Sequence, residues 1–474
     1  MSTFGGLNTA YTGLSAANTG LNVTGQNLAN VGTEGYTRQR VVTSPAGAPG
    51  PAGLFTTPPK PGSGVVVDSI ARLGDVFAEN RVRATASTAG YTYIRAEALT
   101  DIELNLGEPG AKGISARLQA FWSSWQDLSN SMDQSAPSSV LLAEANSLTS
   151  LVSLGYAGLE NQWAENRGRL DSMAIDLNAA AAQLGELNGQ IRQTLNSGGT
   201  ANELMDQRAL LAAQIADLAG GTAVPGSAGM LDVFVGGNAL VQGEQVYTVT
   251  AAGARSLEGA DADPPRLEWV GRVVTAVNAT GGQMAGTVSV LAPADASGTG
   301  GPIAEAAASY NAFALKLGSM VNDAHRAGAT PDGRTGLDFF SFAAGVPAAK
   351  GIGVVPTDAS GIAAALPGAD GYDGTHAGNI SLIGTGPDSP DMFWNDFVTR
   401  TGVAARSAVQ SGTLAENFHF GAVTELASRT EVSLDEETVN LVQYQQAYQA
   451  NARVISAIDE MLDTLINRTG IVGR

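Results

Sequence analysis

GLNTAYTGLSAANTGLNVTGQNLANV, residues 6–31, places leucine at every seventh position: Leu7, Leu14, Leu21 and Leu28. Ala10, Ala17, Thr24 and Val31 follow three residues after each. Such a stripe over four heptads predicts one helix with a coiled-coil-like seam. Gly13, Gly20 and Gly25 weaken that helix by about 1 kcal/mol each relative to alanine, so it is expected to order only against a partner. The other extremity has the same design. In LDEETVNLVQYQQAYQANARVISAIDEMLDTLINR, residues 434–468, the heptad positions are Leu441, Tyr448, Ile455 and Leu462, with Tyr444, Asn451, Ile458 and Leu465 between them. Ser433 and Glu436 have the spacing of a capping box at its start. Each seam spans roughly 40 Å at 1.5 Å per residue, and two stripes of equal length at opposite ends of a chain are expected to pair.

Between the ends, apolar periodicity predicts helices over 71–106, 112–130, 137–195, 201–219, 303–326 and 391–428. The third carries its own heptad, Leu170, Met173, Leu177, Ala180, Leu184, Leu187 and Ile191, which reads as core. At about 60 residues it approaches roughly 90 Å, the length of a rod rather than a ball. Residues 222–300 change texture. MLDVFVGG, ALVQGEQVYTV, PRLEWVGRVV and GTVSVLA alternate apolar and polar residues between Gly, Asn and Pro, as short antiparallel strands do. Residues 327–390 are rich in Gly, Pro and Asp. The expected fold is mainly α with an inserted β domain, elongated, in five parts: 1–68, 69–221, 222–300, 301–428 and 429–474.

The 474-residue chain has 44% hydrophobic residues and a mean hydropathy of +0.03, ordinary for globular proteins. Its formal net charge of −19 and pI near 4.5 disfavour nucleic acid and anionic membranes, which both need clustered Lys and Arg. It has no cysteine, which removes disulfides, thiolate metal sites and thiol nucleophiles. No stretch approaches an apolar membrane span and no cleavable leader is visible, so the chain is expected to be either cytoplasmic or exported without a cleaved signal. His325, His376 and His419 lie far apart and outside any metal-ligand spacing. Asp370 and Asp373, in DGYDGTHAGN, lack the closing glutamate of a calcium loop and read as a turn. Gly351/Gly353 and Gly384/Gly386 lack the third glycine of a dinucleotide site. Asp435, Glu436 and Glu437 suit the first turn of a helix through its dipole. No catalytic, cofactor or metal residue is therefore predicted.

GLNVTGQNLANVGTEGYTRQRV, residues 20–41, resembles the N-terminal signature of the flagellar rod, hook and hook-associated proteins, with Ala29, Asn30, Thr33, Gly35, Tyr36, Arg38 and Gln39 at the signature positions. Residues 433–467 resemble the matching C-terminal signature. NELMDQRALLAAQIADLAG (202–220), SYNAFALKLGSMVNDAHRAG (309–328) and GLDFF (336–340) are similar to the hook-associated branch of that family. The resemblance implies an extracellular structural subunit, exported by the flagellar type III route and assembled as a ring at the hook–filament junction. Implied partners are further copies of itself, the hook protein, the second junction protein (hook-associated protein 3) and an export chaperone. The assembly interface expected from the heptads comprises Leu7, Leu14, Leu21, Leu28, Val31, Leu441, Tyr444, Tyr448, Ile455, Ile458, Leu462 and Leu465. Two other readings remain open: a secreted adhesive protein that binds glycan or host ligands through the β insert, and a peptidoglycan-remodelling hydrolase.

Overall fold

The computed structural model describes residues 3–47, 63–131, 135–271, 276–369 and 373–468. Helix α1 (Thr3–Ala29) comes first, and the chain then turns at Gly32 and Gly35, both at φ +77°. Strands β1 (Gln39–Pro45) and β2 (Val65–Arg72) form an antiparallel hairpin that returns alongside α1. Helix α2 (Val76–Leu106) begins five residues later than its periodicity suggests. Arg72 still pairs with Gln39 in the hairpin, and the Asp75 carboxylate accepts from the Phe77 and Ala78 amides, which fixes the helix start there.

Helices α3 (Ile114–Asn130), α4 (Ser135–Asn196) and α5 (Asn202–Ala219) follow. The 62 residues of α4 run without a break, roughly 93 Å at 1.5 Å per residue. Next come β3 (Thr222–Pro225), β4 (Leu231–Val235), β5 (Asn238–Gln242) and β6 (Gln245–Val246), one antiparallel sheet in that order, and the ribbon of β7 (Val249–Ala252) with β8 (Arg266–Trp269). Of PRLEWVGRVV, residues 272–274 lie outside the described residues. Both sheets lie along α4. Asn178 hydrogen-bonds both backbone groups of Val249, and Asn188 holds the carbonyls of Leu231 and Gly243.

GTVSVLA is not a strand. It belongs to helix α6 (Gly282–Leu291), in which Met284, Ala285, Gly286, Thr287, Val290 and Leu291 are all buried. A ten-residue helix covered on nearly every side shows no clear period, so alternation alone misassigns it. Then come α7 (Pro302–Ala327), β9 (Phe340–Phe342), α8 (Ala348–Gly351), β10 (Ile352–Val354) and α9 (Thr375–Ser381), with β9 and β10 antiparallel. Last are α10 (Pro390–Thr430) and α11 (Leu434–Asp463).

One contiguous core runs along α2 to α7, both sheets and the first half of α10, from Ile94 to Ala405. Its aromatic centre packs Phe121, Trp125, Phe339 and Phe340 against one another, and a second cluster packs Tyr310, Phe313 and Phe397 around Trp394. Neither terminal helix contributes to this core. The second half of α10 runs along α2 through a small-residue stripe that includes Ala415 and Ala422, with Glu425 bonded to Arg81 and His419 to Thr85. The terminal helices therefore stand apart from the body and face the problem of packing separately.

Candidate assembly interface

α1 and α11 pair with each other in antiparallel fashion. Gly6 faces Ile458, Gly13 faces Asn451, Gly20 faces Tyr444 and Asn27 reaches Glu437. Each step of seven along α1 is met by a step of seven backwards along α11, so the heptads of the two ends are in one register. The surface of α1 that closes the pair is made of small residues. Ala10, Ala17, Gly20, Val23 and Thr24 are buried, whereas Leu7, Leu14 and Leu21 are only half-buried and Leu28 is exposed. A Cβ on Gly20 would lie 2.5 Å from the Tyr444 ring, and one on Gly13 2.7 Å from the Asn451 amide. These two glycines, which weaken an isolated helix, are what allow the close approach. Gly25 has no neighbour within 4 Å.

On α11, Leu441, Tyr444, Ile455 and Leu462 are half-buried, Ile458 is buried and Tyr448 remains exposed; Leu465, just past the end of α11, is exposed as well. Val31 lies past the end of α1, half-buried. Other sides of α11 carry Val439, Val442, Val454 and Met461, each 45% exposed or more.

The signature residues gather where the pair meets the body. Asn27 is 1% exposed, and all its polar capacity is used. Its amide donates to the Gln39 carbonyl (2.9 Å) and Glu437 Oε2 (3.1 Å), and its carbonyl oxygen accepts from Tyr36 Oη (2.9 Å) and the Gln39 amide (3.0 Å). Burial, followed by the nearby carboxylates Glu203, Asp206 and Glu437, pushes the Tyr36 hydroxyl up to about 12, so it stays a donor. Arg38 donates to Glu437 (2.8 Å) and to Glu436. The predicted capping box does not form: the Ser433 side chain makes no cap bond, and the Glu436 carboxylate pairs with Arg38 instead. Asn30 folds back to the Gln26 carbonyl, and Thr33 donates its amide to Asn30. Ala29 is exposed in the last turn of α1, and Gly35 lies over Leu210 of α5. Sequence reasoning missed Asn27 and Glu437, which hold this cluster together.

The histidines serve the body. His325 is wholly buried, with Nδ1 at 2.7 Å from the Leu337 carbonyl and Nε2 accepting from the Ala363 amide. His376 Nε2 sits 2.8 Å from the Ala324 carbonyl, and His419 Nδ1 meets Thr85 Oγ1. Asp373 accepts from Thr375 and Leu366, and Asp370 lies outside the described residues. Among the described residues no three His, Cys, Asp or Glu side chains cluster as a metal site, and no helix is long and apolar enough to cross a membrane.

Residues 99–340, more than half of the chain, match the family model of the flagellar hook-associated protein FlgK helical domain. The chain belongs to the FlgK family. A second model, the C-terminal region of flagellar basal body rod FlgEFG proteins, matches residues 428–468 of this FlgK-family chain and so covers α11. Flagellar hook-associated protein 1 of Bacillus subtilis (strain 168) is 29% identical over 520 residues, covering 100% of both chains. The protein of that name in Escherichia coli (strain K12) is 26% identical over 374 residues, 76% of this chain and 65% of that one. The flagellar hook junction protein FlgK from Burkholderia pseudomallei shares the fold, with a TM-score of 0.62 at 13% identity over 74% of this chain and 99% of that one. FlgK-family membership makes this chain a structural component of the bacterial flagellum.

Proposed function

We propose that the chain is a subunit of the hook–filament junction, joined to further copies of itself through the α1/α11 pair. The observation that carries this reading is the unfinished surface of α11. Pairing with α1 uses one side of the helix, and Val439, Val442, Val454 and Met461 remain exposed on other sides. A two-helix arm has no internal reason to keep four large apolar side chains in water, and exposed apolar surface marks an interaction site. Burying each against a neighbouring subunit contributes on the order of 1 kcal/mol, and a ring repeats that gain at every contact.

The same reading supplies the finer roles. The chain leaves the cell through the flagellum without cleavage, is held by an export chaperone on the way, seats on the hook protein and presents a surface to hook-associated protein 3. It acts by assembly and not by catalysis. The experiment is complementation of a strain lacking this chain with Val442→Asp plus Met461→Asp. Cells should build hooks yet shed flagellin unpolymerised. Swimming cells with full-length filaments overturn the reading.

A further inference from the structure

The NELMD segment that opens α5, residues 202–206, lies far from both terminal helices in sequence, yet three of its side chains hold the arm. The arm consists of α1, the β1/β2 hairpin and α11, and the body of everything from α2 to α10. The chain passes between them twice, at residues 72–75 and 430–433, on one level. The main apolar core stops short of this level. The bonds across it are mostly polar, and a cavity of ≈ 670 Å³ lies beside them, lined by Gly35, Tyr36, Arg72, Val82, Leu210 and Leu426 among others. Units joined through a small polar interface move relative to one another by default. Something must therefore hold the angle.

We infer that Asn202, Glu203 and Asp206 form a socket that fixes the orientation of the α1/α11 arm on the body. These residues stand at helical spacing i, i+1 and i+4, so they share one face of the first turn of α5. Asp206, 5% exposed, accepts the Thr37 amide on one oxygen (3.0 Å) and Arg72 Nε on the other. The outgoing turn after α1 and the end of the hairpin are thus gripped by one carboxylate. Glu203 accepts from the Gln39 amide group (3.0 Å), and Asn202 donates to the Gln39 side-chain oxygen (3.0 Å) and to the Ile70 carbonyl (3.0 Å). Gln39 is therefore clasped from both sides. Charge-assisted bonds to a buried carboxylate are directional, so they set an angle where apolar contact would permit sliding.

This deepens the assembly reading, because a ring needs every arm at the same angle. The test is independent of assembly. The chain has no cysteine, so paired nitroxide labels can be introduced cleanly. One pair spans the joint, Arg453→Cys on α11 with Leu104→Cys on α2, and a control pair lies within the body, Leu104→Cys with Ile175→Cys. Electron–electron distance measurements on the isolated full chain should give one narrow population for each pair. Asp206→Asn should broaden the joint pair alone. Gln39→Ala, which leaves α5 untouched, should do the same. A joint pair that stays narrow in both variants overturns the socket, and so does equal broadening of the body pair, which would make these residues ordinary supports of the body fold. Either failure leaves the assembly reading standing.

Discussion

Gly20→Ala separates two physical accounts of the N-terminal heptad. If α1 were limited by helix propensity, alanine would stabilise it by about 1 kcal/mol. The structure places the new Cβ 2.5 Å from Cδ1 and Cε1 of Tyr444, a distance that requires the ring or the helix to move. Overpacking of that kind costs about 1–3 kcal/mol, so the net change is expected to run from roughly zero to a loss of about 2 kcal/mol. Gly25→Ala is the internal reference. Its Cβ meets nothing within 4 Å, so it should show the full propensity gain of about 1 kcal/mol. The two variants should therefore differ by about 1–3 kcal/mol, roughly 5-fold to more than 100-fold in local opening. Amide hydrogen exchange over α1 and α11 reads this directly, without assuming that a multi-part chain unfolds in one step. Equal protection of α11 in the two variants would refute the close packing of Gly20 on Tyr444.

Arg38→Ala leaves Glu437, 2% exposed, with only Asn27 and Asn440 as donors, and should loosen the start of α11 by about 2 kcal/mol, seen as faster protease cleavage near residues 431–433. Asn188→Ala removes partners from the Leu231 and Gly243 carbonyls, the Leu231 amide and Arg208; urea unfolding should show a loss of about 3 kcal/mol, and a loss below about 1 kcal/mol would contradict that role. Burial holds the His325 imidazole below its ordinary range, and Nε2 must stay unprotonated to accept the Ala363 amide. The unfolded chain then binds the extra proton first, so stability should fall as pH drops below about 6.5 and level off below the folded-state value. His325→Gln should flatten that slope in melting curves between pH 7.5 and 5; an unchanged slope assigns it to other groups.

The long helices were legible because each buries one stripe over many turns, and periodicity grows clearer with length. α4 illustrates this: Leu170, Met173, Leu177, Ala180, Leu184 and Ile191 are all buried, as their spacing indicates. α6 was not legible, since a short helix buried on nearly every side carries no stripe. The terminal seam was half legible. Leucine spacing gave the correct period and the pairing of the two ends, but the contact itself runs through Gly13 and Gly20, each one residue before a leucine, and through Ala17 and Thr24, each three residues after one. A scale that scores apolarity finds leucine and overlooks glycine, although glycine decides how near two backbones come.

The cluster at the joint was illegible for a different reason. Asn27 and Glu437 are 410 positions apart, and Thr37 and Asp206 are 169 apart, so no local pattern connects them. Each also has an adequate local explanation: Glu437 as first-turn acid, Asp206 as one acid of a polar helix start. Those local readings fail on burial. A carboxylate in the first turn of a helix belongs in water, where the dipole term is modest, whereas Glu437 is almost wholly enclosed and needs three donors to offset its lost hydration. A buried charge with partners from elements far apart in sequence is costly unless all of them arrive together. It therefore forms only when α1, the turn after it and α11 have found their common register, and this couples the joint to the pairing of the terminal helices.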